Sequence, residues 1–156
     1  MTGWLRRDRR GVSTVEFAVT AGAFFALVLL LIEAAWQVAV AAALDLGTRQ
    51  ASRWVATGQA APAGQTRTAY ASTLILRASG LPLDAATLQV TVESAGSFAA
   101  FAAGGSRPGL GGPGDVLRYT VAYRSMPITP FGRGLMRDGL QLQLIILAKN
   151  EPYPQT

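Results

Sequence analysis

The sequence predicts an α+β protein with a long N-terminal transmembrane helix that extends out of the membrane. A small domain follows, made of a helix on a roughly three-stranded antiparallel sheet. Three observations predict this: an apolar run of bilayer length near the start, a helix-forming sequence that continues beyond that run, and alternating hydrophobicity later in the chain. A length of 156 residues suffices for one small domain and an appendage.

The apolar run accounts for an unusual composition. Half of the residues are hydrophobic and only 15% are charged, against about 25% charged residues in an ordinary soluble domain. The excess lies mainly in residues 12–46, and the segment FAVTAGAFFALVLLLI, residues 17–32, is interrupted only by Thr20 and Gly22. A bilayer core needs about 20 helical residues, so this region is long enough to span it.

The helix is predicted to continue far past the apolar run. Good helix formers extend from about Val12 to Thr57, and Gly58 is a C-terminal stop signal. Such a helix is about 70 Å long, so its second half must project beyond the membrane.

Polar residues mark where this helix leaves the lipid. Glu33 and Gln37, one turn apart, are interpreted as an interfacial polar patch rather than a protein-contact site. Asp45 and Arg49, spaced by four in the favourable acid-then-base order, are predicted to form a solvated ion pair.

The second half of the chain carries the signals of a small domain. A linker, QAAPAGQT, precedes a predicted helix that ends at Gly80, and strands are predicted at 88–93, 116–123 and 140–149. The domain division is therefore a leader at 1–11, a helix at 12–58 and an α+β domain at 59–156, as follows from these segments.

Two connections in this domain have their own signals. Thr129 is a candidate N-cap with Pro130 at the first helical position, which predicts a short helical turn across the sheet or at the membrane surface. The Gly/Pro-rich stretch at 102–114, AAGGSRPGLGGPG, lacks a P-loop lysine and the strand-GxGxxG-helix setting, so it predicts a flexible loop rather than a phosphate site.

The basic residues are concentrated before the apolar run. The net charge is +5, and the first ten residues supply +3 of it through four arginines offset by Asp8. Basic residues that flank a span stay on the cytoplasmic side, which predicts a cytoplasmic N terminus and an extracytoplasmic domain. The other charges are spread out and nearly balanced, so nucleic-acid binding is not expected. The orientation signal consists of Arg6, Arg7, Arg9 and Arg10.

The residue inventory disfavours enzyme chemistry. The chain has no histidine and no cysteine, and its nine acidic residues are scattered. Histidine-based triads, cysteine nucleophiles and His/Cys zinc sites are thereby excluded. A membrane-anchored enzyme with a periplasmic domain is the least favoured hypothesis; we expect no enzyme activity, no catalytic residue, no metal site and no cofactor.

The start of the apolar run carries a specific pattern. In RRGVSTVEFAV a basic leader ends at Gly11, and Glu16 and Phe17 follow at the head of the helix. This resembles the processing site of type IV prepilins, and more closely the TadE-like pseudopilins of the tight-adherence (Flp pilus) system. The segments ALDLGTRQASRWVATG and AKNEPY also resemble that family.

The resemblance implies a function for these residues. A prepilin peptidase would cut after Gly11, with Val12, Glu16 and Phe17 completing the recognised substrate. Cutting there creates an α-amine on Val12, which Glu16 of the same or a neighbouring helix can pair with; alternatively Glu16 simply lies at headgroup depth.

The resemblance also implies a location and partners. These are the bacterial inner membrane, a single span with the domain in the periplasm, the prepilin peptidase, other pilins or pseudopilins, the inner-membrane assembly platform and membrane lipid. The span lacks the proline common in the family, so the TadE, TadF or TadG branch stays open.

A second hypothesis for the N-terminal segment is export. The chain would then be an exported binding protein, with AVAAA at 39–43 as a signal-peptidase site or with an uncleaved signal anchor. The apolar region is far longer than a typical signal-peptide core, which favours the pilus hypothesis.

Overall fold

The computed structural model describes residues 10–153, with side chains from residue 13 onward. Helix α1 spans Arg10–Ala56, which is 47 residues or about 70 Å. It stops where Gly58 adopts a φ of +71°, a left-handed conformation that glycine adopts without a steric penalty. The predicted long helix and its stop at Gly58 are both confirmed.

The second half of α1 packs on the domain along one stripe. Buried residues recur every three or four positions, which places them on one helical face. Trp36 and Trp54 flank this stripe and pack against the two hydrophobic clusters of the domain core. The stripe comprises Glu33, Gln37, Val40, Leu44, Thr48, Ala51 and Val55.

Helix α2, Arg67–Ala78, packs against α1. Thr66 caps its start, because the Thr66 hydroxyl accepts a hydrogen bond from the Ala69 N–H at 3.2 Å. The two helices approach closely at Gly47, where an added Cβ would lie 3.1 Å from the carbonyl carbon of Ile75. The glycine at this position therefore sets the distance between the helices.

The sheet has four antiparallel strands, at Leu88–Ala95 (β1), Arg107–Pro108 (β2), Val116–Ser125 (β3) and Leu140–Lys149 (β4), and their order is β2-β1-β3-β4. The three long strands, β1, β3 and β4, match the predicted strands. The fourth, β2, pairs with the end of β1 and was not predicted. The α+β class is thus confirmed, with one short edge strand more than expected.

One face of the sheet is covered by α1 and α2. Tyr119 and Leu117 of β3 are fully buried at its centre, and burial raises the pKa of the Tyr119 phenol. The residues that β3 contributes to this face alternate with outward-facing ones, as its sequence pattern predicted.

The glycine-rich segment is more structured than predicted. It contains β2 and the end of a short helix α3, Phe98–Ala102. The buried Asn150 side chain donates hydrogen bonds to the backbone carbonyls of Leu110 and Gly112, at 3.0 and 2.9 Å. Most of 102–114 is loop, as predicted, but distant residues, which the local composition does not reveal, hold part of it in place.

On the outer face of the sheet, a charged pair joins β1 to β3. Arg118 donates from Nε to the Glu93 carboxylate at 3.0 Å, and its guanidinium lies 5.3 Å from the centroid of the Phe101 ring. The Arg118 hydrogen bond lowers the pKa of Glu93. This contact attaches α3 to the strands beneath it.

Candidate functional site

The predicted processing region lies at the start of α1. Gly11 and Val12 fall in its first turns, and the structure describes their backbone but not their side chains. Glu16 is exposed, and Phe17 is 74% exposed. Of the orientation signal, Arg6, Arg7 and Arg9 lie outside the described residues, and the Arg10 side chain does also.

The helix in this region is regular, and its side chains from residue 13 to residue 20 are exposed. The Thr20 hydroxyl donates to the backbone carbonyl of Glu16 at 2.8 Å, within a continuous α-helix. Cleavage after Gly11 and docking through Glu16 both concern events that this single chain does not display, so both stay predictions.

A second polar site lies farther along α1, where the helix meets the domain. Glu33 is only 1% exposed. Its Oε2 accepts hydrogen bonds from the backbone N–H groups of Ile128 and Thr129, at 3.2 and 3.0 Å, and from the Thr129 hydroxyl at 2.9 Å. Its Oε1 accepts from the side-chain amide of Gln37 at 2.9 Å. Four donors thus surround one buried carboxylate, which offsets the free energy of removing it from water.

The donors belong to the start of a short helix, α4, Pro130–Leu135. The Thr129 hydroxyl donates to Glu33 and also accepts from the N–H of Gly132 at 2.9 Å, so it caps α4 as the sequence predicted. At Gly132 the backbone comes so close to Glu33 that an added Cβ would lie 2.6 Å from its carboxylate carbon. We refer to Glu33, Gln37, Thr129 and Gly132 as the Glu33 junction.

The prediction that Glu33 and Gln37 are not a protein-contact site is wrong. The structure makes Glu33 a contact between the long helix and residues about 95 positions later in the chain. The sequence around Thr129 predicts that this residue caps α4, but it does not indicate that the Thr129 hydroxyl also binds Glu33. A glutamate in an apolar helix signals a missing partner, and only the fold identifies which backbone supplies it.

The second predicted pair on α1 has the expected character. Arg49 Nε lies 2.8 Å from the Asp45 carboxylate; the Arg49 side chain is largely solvent-exposed and the Asp45 side chain partly so. This confirms a solvated helix pair between residues one turn apart.

Among the described residues, one helix is long and apolar enough to cross a membrane. It covers Ser13–Ala56, and its best 18-residue window has a mean hydropathy of 2.4 with none of its residues buried in the fold. An exposed apolar helix near the N terminus fits a membrane anchor.

A family model described as TadE-like protein matches residues 11–53. The match begins at the predicted cleavage glycine and runs along α1 to its last turn. It therefore includes Glu33 and Gln37 of the Glu33 junction, but not Thr129, Gly132 or the sheet. The resemblance to the TadE-like family drawn from the sequence is confirmed over this helix. No curated protein and no solved structure matches the chain.

The family match suggests a protein associated with a tight-adherence (Flp-type) pilus. The matched segment contains Gly11, Val12, Glu16 and Phe17, which the prepilin resemblance singled out.

Proposed function

We propose that this chain is a minor pseudopilin, an assembly component of a tight-adherence (Flp-type) pilus, cut after Gly11 by a prepilin peptidase. The observation that carries the proposal is a basic leader followed by the segment that the family model matches, which begins at Gly11 and has Glu16 and Phe17 at the head of an exposed apolar helix. None of the residues 13–32 is buried in the fold, which suits a helix that is surrounded by lipid or by other helices.

Processing is tested by mass. Intact-mass analysis of the membrane-extracted chain, co-expressed with a prepilin peptidase, should show loss of the first eleven residues. Gly11→Leu should leave the full-length precursor, because the peptidase must fit a small residue at the cut. Gly22→Leu is the matched control, since the space around Gly22 is open, and it should be processed normally.

The exported-protein alternative predicts a different mass. A cut within 39–43 would remove about forty residues, among them Glu33 and Gln37. In the structure α1 continues without a break through 39–43, and Val40 and Ala43 are buried in the core. Such a cut would take away part of the domain's own packing, which favours the pseudopilin proposal. Retention of full length with the peptidase present would leave an uncut anchor.

The proposed topology places the leader in the cytoplasm and the domain in the periplasm, across the inner membrane. The leader arginines and the one candidate span found in residues 10–153 support this orientation. A reporter fused after Thr156 should be active outside the cytoplasm, and one fused before residue 12 should be active only inside. A cytoplasmic C terminus would contradict the pseudopilin proposal.

The proposed role is structural, without enzyme activity or a cofactor. The partners are the peptidase, other pilins or pseudopilins, the assembly platform and membrane lipid. Glu16 is proposed to pair with the α-amine that cleavage creates on Val12 of an adjacent helix, which fixes the axial register between subunits. Glu16→Gln should be cleaved normally and should co-purify less with other pilus subunits; processing and assembly at wild-type levels would reduce Glu16 to a headgroup residue.

A further inference from the structure

The segment around α4 exposes several large apolar side chains next to the transmembrane half of α1. Leu135 is 64% exposed and Met126 is 52% exposed. Adjacent apolar exposure of this kind marks an interaction surface more often than chance scatter. We define the α4 patch as Met126, Ile128, Phe131 and Leu135.

The strand directions place this patch at the membrane end of the domain. Near its start β3 contributes Leu117 to the same cluster as Val55, and near its end it contributes Tyr123 to the same cluster as Val40. Since α1 leaves the membrane with increasing residue number, β3 runs back toward the membrane. The connection from β3 to β4, which contains α4, therefore lies at the bilayer side of the sheet.

The Glu33 junction fixes the height of the patch. Ile128 and Thr129 are hydrogen-bonded to Glu33, and the twenty residues 13–32 before Glu33 span about 30 Å, the thickness of a bilayer core. Leu31 and Ile32, the two residues directly before Glu33 on α1, are exposed apolar residues. The α4 patch thus continues the lipid-facing surface of α1 at the level of the headgroups.

The charges around the patch suit an anionic lipid surface. Residues 124–138 contain three exposed arginines, Arg124, Arg133 and Arg137, against one acidic residue, Asp138. Short segments with apolar side chains and flanking arginines bind membrane interfaces, where the apolar groups enter the acyl boundary and the cations meet headgroup phosphates.

We propose that the α4 patch inserts into the headgroup region of the leaflet that faces the domain, as a second membrane contact beside the spanning helix. The Glu33 carboxylate connects the two contacts, so the domain is held at a fixed tilt against the bilayer. The proposal rests on α1 crossing the membrane, which belongs to the proposed function, and it adds a lipid-binding role for a part of the chain outside the TadE-like match.

Site-directed labelling tests this, because the chain contains no cysteine. Single variants Leu135→Cys and Met126→Cys, labelled with an environment-sensitive fluorophore, are reconstituted as full-length protein into phosphatidylcholine/phosphatidylglycerol vesicles. Phe98→Cys is the matched control: Phe98 is also an exposed apolar residue at the start of a short helix, but it follows β1 at the end of the sheet away from the membrane. Phe24→Cys reports whether α1 is inserted.

The expected result has three parts. Labels at 135 and 126 are quenched by nitroxide lipids with a shallow label several-fold more strongly than the label at 98. The same two labels are several-fold less accessible to aqueous iodide than position 98. The label at 24 is quenched best by nitroxides placed deep in the acyl chains.

Other outcomes separate the two proposals. If position 24 is lipid-exposed while positions 135 and 126 behave like 98, the α4 contact is wrong and the membrane anchor stands. If positions 135 and 126 are shielded from both iodide and nitroxide lipid, a protein surface covers the patch and the lipid proposal is overturned. If position 24 itself is accessible to iodide, the membrane anchor fails. Tryptophan emission from Trp36 and Trp54 verifies that each variant is folded, since both rings pack on the domain.

Discussion

The two halves of α1 are one continuous helix in two different environments. Residues 13–32 contain no buried residue among those described, whereas residues 33–56 bury one stripe against α2 and the sheet. The exposed apolar side chains of the first half fit a membrane anchor, whereas the buried stripe of the second half packs against its own domain. The α-helical backbone is the same in both halves, because its hydrogen bonds are formed within the helix. Only the side chains differ between the two environments.

The two halves of α1 contain matching residue types. Each half contains one glutamate that interrupts apolar sequence, Glu16 and Glu33, and each contains one glycine, Gly22 and Gly47. In the second half both have intramolecular neighbours, and in the first half Glu16 is exposed and the space around Gly22 is open. Substituting the same residue type in both halves therefore tests the comparison directly.

The largest effect is expected at Glu33. Glu33→Ala removes the acceptor of four hydrogen bonds and leaves the N–H groups of Ile128 and Thr129 without their partner. We expect the free energy of unfolding of the domain to fall by about 3 kcal/mol, measured by denaturant titration of the detergent-solubilised chain with tryptophan fluorescence. Glu16→Ala should leave that unfolding curve unchanged. Equal losses of unfolding free energy from both variants would refute the claim that only the second half of α1 stabilises the domain.

The next effect is expected at Gly47. An added methyl group would lie 3.1 Å from the carbonyl carbon of Ile75 and force α1 and α2 apart, so Gly47→Ala should destabilise the domain by about 2 kcal/mol. This loss opposes the better helix propensity of alanine. Gly22→Ala is the control, and its unfolding midpoint should match that of the wild type. A neutral Gly47→Ala would show that the helices do not cross as closely as described.

A smaller effect is expected within α4. Gly132→Ala places a methyl group against the Glu33 carboxylate, which must move and lengthen its hydrogen bonds to the α4 N terminus. We expect a loss of about 1 kcal/mol in the same titration. Gly134→Ala is two residues away in the same helix with open space around it, so it should cause no loss of stability, and any change should be a gain from the better helix propensity of alanine. The double variant Gly132→Ala with Glu33→Ala should be no less stable than Glu33→Ala alone, because the added methyl group then meets no carboxylate.

The smallest effect is expected at Asp45. Its pairing with Arg49 is solvent-exposed, so salt and water screen it and Asp45→Asn should leave the unfolding midpoint within experimental error. A clear loss of stability that persists at high salt would mean that the pair is shielded from solvent by another part of the protein.

Local signals in the sequence accounted for most elements. The ends of α1 and α2, the three long strands and the Thr129 cap follow from glycine stops, apolar alternation and a Thr-Pro pair, each of which acts over a few residues. The short strand β2 was not predicted, because two residues are too few to show an alternation of apolar and polar side chains. They form a strand only by pairing with β1. The order of the glycine-rich segment depends on Asn150, some forty residues away.

The sequence by itself determined that this protein has a long apolar helix, a basic leader before it and an alternating set of strands after it, since those properties depend on composition and spacing. The tertiary structure alone decided what Glu33 does. A carboxylate in an apolar helix has the same local sequence whether it meets headgroups, another subunit or its own domain. Its partner was chosen by the fold of β3 and α4, which returns two backbone N–H groups and a hydroxyl to within hydrogen-bond distance of it.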